Sequence, residues 1–186
     1  MSIEYQTLIL DPGHGGQDPG ACAGGAIESL LNARVCHRIQ AITNFFIPTI
    51  LTRVYNDPNE TELADRVKQA TQYDLFISVH HNAATDTSAK GLEIYHYPGS
   101  EPGILLAKYC YDNILHYSEA AGIVRSGRGL KTKDLYVINQ TPCPAILIEV
   151  GFMTNQLELW QMQQEKTIVT TAYAVAMAVL QFIGKW

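Results

Sequence analysis

Five ionisable side chains lie close beside apolar segments of this chain. His14 comes shortly after an apolar run at residues 7–10, His80 and His81 follow another at 75–79, and Glu149 closes a third at 145–148. Glu28 opens a segment of helical period. Two histidines and one glutamate are the ligand types of catalytic zinc sites that keep a fourth position for water. A further glutamate would supply the general base that such hydrolytic chemistry requires. These residues are far apart in sequence, but strand ends of a parallel sheet converge on one edge, where ligands bind.

Each of them also has a plainer reading. His14 sits in Asp11-Pro12-Gly13-His14-Gly15-Gly16, whose glycines permit unusual backbone angles and clear space beside the imidazole. Gly-rich loops after strands also hold phosphates, yet neither G-x-G-x-x-G nor G-K-[ST] occurs here. His80 and His81 are adjacent, so on an extended strand they point to opposite faces and only one can normally face a site. Glu149 would be costly to bury as a charged group without a cation, a metal or a proton. Glu28 in the first turn of a helix also interacts favourably with the helix dipole. Strand-end capping or loop salt bridges account for Ser78, Asn82, Arg66 and Arg128 as well as substrate contact does.

The elements that must position these groups are of two alternating kinds. Residues 7–10, 49–52, 75–79 and 145–148 are short, nearly continuous apolar runs, as expected of strands buried on both faces. Residues 92–97 alternate instead, like a strand with one wetter face. Ile27, Leu31, Val35, Ile39 and Ile42 share one helical stripe, as do Leu63, Val67 and Ala70. Residues 104–115 predict a further helix, and Ile168, Ala172, Val175, Val179 and Phe182 mark a terminal one. This repetition predicts a single α/β domain over residues 1–186, with a mixed, mostly parallel sheet flanked by helices. A hydrophobic content of 47% in 186 residues is enough for one substantial core.

Composition excludes several functions. A net charge of -5 argues against nucleic acid as a partner, since phosphate binding needs clustered Lys and Arg. Cys22, Cys36, Cys110 and Cys143 are scattered with no C-x-x-C pair, which predicts reduced structural thiols and no zinc knuckle. No apolar stretch reaches eighteen residues, and Met1-Ser2-Ile3-Glu4-Tyr5 has no basic segment leading into an apolar run. Neither a membrane span nor a signal peptide is therefore expected, and synthesis in the cytoplasm is. Oligomeric state is not encoded in any pattern of this chain.

Several spaced motifs recur in a definite order. They are Ile9-Leu10-Asp11-Pro12-Gly13-His14-Gly15-Gly16 with Asp18-Pro19-Gly20-Ala21, then Glu28, then Leu51-Thr52-Arg53 and Arg66. Tyr73-Asp74-Leu75-Phe76-Ile77-Ser78-Val79-His80, Asn82-Ala83 and Gly91-Leu92-Glu93-Ile94-Tyr95 follow. Arg128-Gly129-Leu130 and the stretch from Pro144 through Glu149 to Asn155 complete the set. Over nearly the whole chain this order resembles the type 3 family of N-acetylmuramoyl-L-alanine amidases. The resemblance implies that His14, Glu28 and His80 bind Zn2+ and that Glu149 is the catalytic carboxylate. It favours His80 over His81, because the family's ligand directly follows the Ser-Val step; His81 stands where relatives commonly carry a small residue. It implies a mixed sheet flanked by helices, and hydrolysis of the amide bond between N-acetylmuramic acid and L-alanine in peptidoglycan. Many relatives carry an export signal and a wall-binding module, and neither is expected here. A bare catalytic domain suggests a phage or prophage endolysin, or a module of a larger wall hydrolase, that meets the cell wall after release or by another export route. Ordinary elements fill residues 84–144, so the long regulatory helix of some cell-division relatives is not expected.

Overall fold

Strands whose two faces are both covered need no polar alternation, and the apolar runs of this chain become the interior of a six-stranded sheet. The computed structural model describes residues 5–55, 57–59 and 61–185. The expectation of no leader rests mostly on residues 1–4, which lie outside the described residues. In chain order the first elements are β1 (Leu8–Pro12), β2 (Cys22–Ala23), β3 (Ala26–Ile27), α1 (Glu28–Thr43), β4 (Thr49–Leu51), α2 (Leu63–Ala70) and β5 (Leu75–Asn82). There follow β6 (Leu92–His96), α3 (Glu101–Ala120), β7 (Gly127–Lys131), α4 (Tyr136–Asn139), β8 (Ala145–Phe152), α5 (Gln156–Gln163) and α6 (Glu165–Phe182).

The sheet order is β4-β1-β5-β8-β6-β7, while β2 and β3 form a separate antiparallel ribbon. The first four strands in that order are mutually parallel; β6 runs antiparallel to β8, and β7 parallel to β6. The architecture is the mixed, mostly parallel α/β sheet that the sequence predicts. On one face, Leu8, Leu10, Leu75, Ile77, Ile146 and Ile148 pack under α1, α3 and α6. On the other, Ile9, Phe76, Ala145 and Leu147 meet Ala70 of α2 and Val137 and Ile138 of α4. No described helix is long and apolar enough to cross a membrane.

Three departures from the predicted elements matter. Strands β5 and β8 continue through His80 and Glu149 to Asn82 and Phe152, so both polar residues lie within strands and obey their alternation. Leu63 is 53% exposed at the start of α2, where it borders a cleft instead of joining the core. Strand β7 carries Gly-Arg-Gly-Leu-Lys at the sheet edge, where neither an apolar run nor alternation is needed to satisfy one neighbour.

A polar cluster is buried between β1 and α2. Asp11 accepts hydrogen bonds from Thr52 Oγ1 and Ser78 Oγ, each at 2.7 Å, and pairs with Arg66. Burial alone would raise the Asp11 carboxyl, but Arg66 and the two hydroxyls hold it below the ordinary carboxylate value. A depressed folded-state pKa adds stability above the unfolded value of about 3.9, and that stability is lost as pH falls through the folded value. Asp11→Ala should therefore cost about 3–5 kcal/mol at neutral pH, because it strands a buried guanidinium. Urea unfolding would measure the loss. The gap between wild type and variant should narrow in acid, below about pH 4, as the wild-type carboxylate takes its proton.

Candidate active site

Alternation along the strands selects the residues that share a face. On β5, Leu75, Ile77 and Val79 face α1, α3 and α6, so Ser78 and His80 face the α2 and α4 side. The same rule puts Glu149 of β8 on the side of Leu147. Strand pairing sets His80 beside Glu149 and Glu149 beside Glu93 of β6, so three polar side chains form a row across adjacent strands. The bordering cleft, about 420 Å³, is walled by Leu63, Arg66, Tyr136 and Leu147 and floored by His14 and His80.

His14 leaves β1 through a turn in which its own φ is +60°, the one positive value at a non-glycine among the described residues. That conformation costs of order 1–3 kcal/mol and persists only where the surroundings fix it. Two arginines do so. Arg53 donates to the carbonyls of Pro12 (2.9 Å), His14 (2.6 Å), Gly13 (3.0 Å) and Ser29 (2.8 Å). Arg66 donates to Pro12 O at 3.0 Å and His14 O at 2.8 Å.

Glu28 begins α1, and its carboxylate is tied to the preceding loop. Its Oε2 accepts from Ala21 N at 2.9 Å, while Glu28 N donates to Ala21 O at 2.9 Å and Ser29 N to Pro19 O at 3.0 Å. These bonds satisfy donors that a helix start leaves free. Glu28 Oε1 lies 3.1 Å from His14 Nε2 and 3.0 Å from His80 Nδ1. One ligand atom from each of His14, Glu28 and His80 therefore fits within 4.8 Å of the others. Two glycines make the space: a β-carbon at Gly13 would fall 2.1 Å from His80 Cε1, and one at Gly20 2.6 Å from both Glu28 Oε2 and His14 Cδ2.

The electrostatics fit a site for a cation. Burial opposes charging His14, yet hydrogen bonds with Glu28 and Asp18 raise it to about 9. Burial would likewise raise Glu28, but the two imidazoles hold its carboxyl far below the usual range. Asp18 Oδ2 receives His14 Nδ1 at 2.7 Å, leaving Nε2 turned toward Glu28. Burial pushes Glu149 up to about 7, with Glu28 and Glu93 acting in the same direction and His80 and His14 against it. Its Oε2 is closed to solvent and has no hydrogen-bond partner among the described residues.

His81 points to the other face. Its Nδ1 lies 2.7 Å from Asn32 Oδ1, and Asn32 Nδ2 reaches Gly13 O (3.1 Å) and Glu28 Oε1 (3.4 Å). Burial drives its pKa down to about 3, so it is a neutral support beneath the site.

A family model described as N-acetylmuramoyl-L-alanine amidase matches residues 8–181. The chain belongs to that family. A solved relative, the amidase AmiC2 of Nostoc punctiforme, superposes with a TM-score of 0.88 at 28% identity, covering 96% of this chain and 97% of its own. LytC, an N-acetylmuramoyl-L-alanine amidase of Bacillus subtilis, is 31% identical across 86% of this chain. The endolysin of Bacillus phage SPP1 is 30% identical across 96% of it. The chain spans about a third of LytC (32%) and 66% of the endolysin.

The fold thus brings His14, Glu28 and His80 together, with Glu149 next to His80 on the same face. Of the other polar residues weighed from sequence, Ser78 and Arg66 are engaged with Asp11, and Asn82 and Arg128 with Glu93. Asp18 and Glu93 stand in the motifs of the sequence without an assigned role, and Asn32 stands outside them. The spacing of Asn32 one helical turn after Glu28 was the available signal for that residue. We expect His80→Ala to lose metal uptake in calorimetric zinc titrations, and His81→Ala to retain one equivalent with affinity lowered about tenfold. Gly13→Ala should resemble the former, because its methyl group occupies the position of the His80 ring; unchanged affinity there would refute the cradle.

Proposed function

We propose that this chain hydrolyses the amide bond between N-acetylmuramic acid and the first L-alanine of the peptidoglycan stem peptide, using zinc. The observation that carries this reading is the meeting of two imidazoles and a carboxylate within 4.8 Å, beside Glu149 on the same face, whose buried Oε2 has no hydrogen-bond partner among the described residues. Two nitrogen donors and one oxygen donor suit a catalytic zinc ion. His14, Glu28 and His80 would hold it, within the space that Gly13 and Gly20 leave clear. The chemistry the ion supplies when bound is Lewis acidity, which polarises a carbonyl and acidifies water.

The remaining work falls to the chain's own side chains. Glu149, raised toward neutrality, takes a proton from the attacking water and returns it to the departing amide nitrogen. Asp18 keeps the His14 proton on Nδ1, so that Nε2 offers its lone pair. Leu63, Tyr136 and Leu147 give the cleft an apolar surface on one side of the scissile bond. The likeness to LytC and to the SPP1 endolysin supports a lytic role on the cell wall.

Glu149→Gln should keep its zinc by elemental analysis and lose about 10²–10⁴-fold in the rate of wall clearing. Glu28→Gln should lose metal and rate together. A metal-free Glu149→Gln beside a fully loaded Glu28→Gln would mean that the two glutamates have exchanged roles. Mass spectrometry of digested peptidoglycan should find intact stem peptides, abolished by a chelator and restored by zinc; shortened peptides would identify a peptidase instead.

A further inference from the structure

The reactive row is flanked by two regions of opposite chemistry. The cleft extends from α2 over β1 and β5 to Leu147 of β8, and its outer wall includes Leu63 and Tyr136. At the opposite edge of the sheet lies β7. Four of the chain's 13 Lys and Arg residues fall between Arg125 and Lys133 with no acid among them, in a chain of net charge -5. Arg128 and Lys131 both reach Oε1 of Glu93. The other oxygen, Oε2, is engaged by Tyr95 OH at 2.8 Å and Asn82 Nδ2 at 3.3 Å. One carboxylate thus anchors two cations and leaves a positive charge in excess.

The cations, and not their anchor, meet solvent. Side chains of Arg128 and Lys131 are 41% and 33% exposed, against 3% for Glu93. Arg128 is further fixed over the Phe152 ring, 5.2 Å from its centroid. A β-carbon at Gly129 would meet nothing within 4 Å, so no side chain crowds that position between the two cations. Glu93, the anchor that both cations share, is the register partner of Glu149 on the adjacent strand.

We propose that Arg128 and Lys131 form a subsite for a carboxylate of the stem peptide, which directs the peptide across β6 and β7 and the glycan toward the cleft. This inference rests on the amidase reading. The muramoyl side of the scissile amide is uncharged, since its lactyl carboxyl is consumed in the bond, whereas the stem peptide bears free carboxylates. A guanidinium and an ammonium on a fixed anchor suit that anion through charge-assisted hydrogen bonds.

The test is calorimetric titration of two isolated stem peptides onto the zinc-loaded protein, identical except that the second residue's carboxyl is free or amidated. Wild type should bind the free acid about tenfold more tightly. Lys131→Met should abolish that preference while keeping the wild-type melting temperature within a few degrees, and Lys131→Arg should retain it. Equal affinities in wild type, or a Lys131→Met variant that weakens both peptides alike, would overturn the subsite. The amidase reading is decided separately by the digestion products: a carboxylate preference accompanied by shortened peptides would leave the subsite standing and remove the amidase assignment.

Discussion

The buried pairing of Asp11 with Arg66 is the constraint on which the site depends. Asp11 ends the apolar part of β1 and has two hydroxyl partners, but it also fixes the guanidinium that reaches over the following turn. Arg53 enters from beyond β4, and burial together with the Arg66 charge lowers its pKa. Two neighbouring cations of this kind remain buried only if enough oxygen faces them, and the carbonyls of Pro12, Gly13 and His14 supply it. The strained His14 backbone is thus a by-product of satisfying the arginines, and the imidazole's position follows from that.

A second tier of support lies on the opposite face of β5. His81, neutral and buried, holds Asn32; Asn32 holds the Gly13 carbonyl and Glu28. The Asn32 amide thus adds a link between the loop carrying one imidazole and the helix carrying the carboxylate, beside the one that Arg53 makes from His14 O to Ser29 O. Asp18 completes the arrangement from the solvent side. Each proposed metal ligand has a different kind of anchor: a clamped turn for His14, a helix start for Glu28 and a strand for His80.

Much of this was legible in the residues. The doubly covered strands announced themselves by uninterrupted apolar runs, and the helices α1 and α6 by their stripes. His14, Glu28, His80 and Glu149 were legible because their types and order match a family pattern, and strand parity then sets His80 and His81 apart on physical grounds. Strand β7 escaped notice because an edge strand that binds one neighbour can be built from Gly, Arg and Lys. The role of Glu93 was not legible because it depends on register, which places it beside Glu149 only after β6 turns antiparallel. The stripe of Leu63, Val67 and Ala70 marks α2, but a helical stripe does not say whether a layer or a cleft lies over its first turn, and over Leu63 it is a cleft.

The two-sided burial of β5 carries a consequence for how the chain reaches this state. An apolar pattern that covers both faces of a strand does not say which residue belongs to which face, and a slip by one residue flips every side chain to the other side. Here such a slip would still present an imidazole, since His81 would take the place of His80. What makes the shifted alignment unfavourable is polar: Ser78 would leave Asp11, and Asn32 would lose its ring partner. A hydroxyl and an amide, groups with no part in the proposed chemistry, thus favour the register that turns His80 and not His81 toward the site.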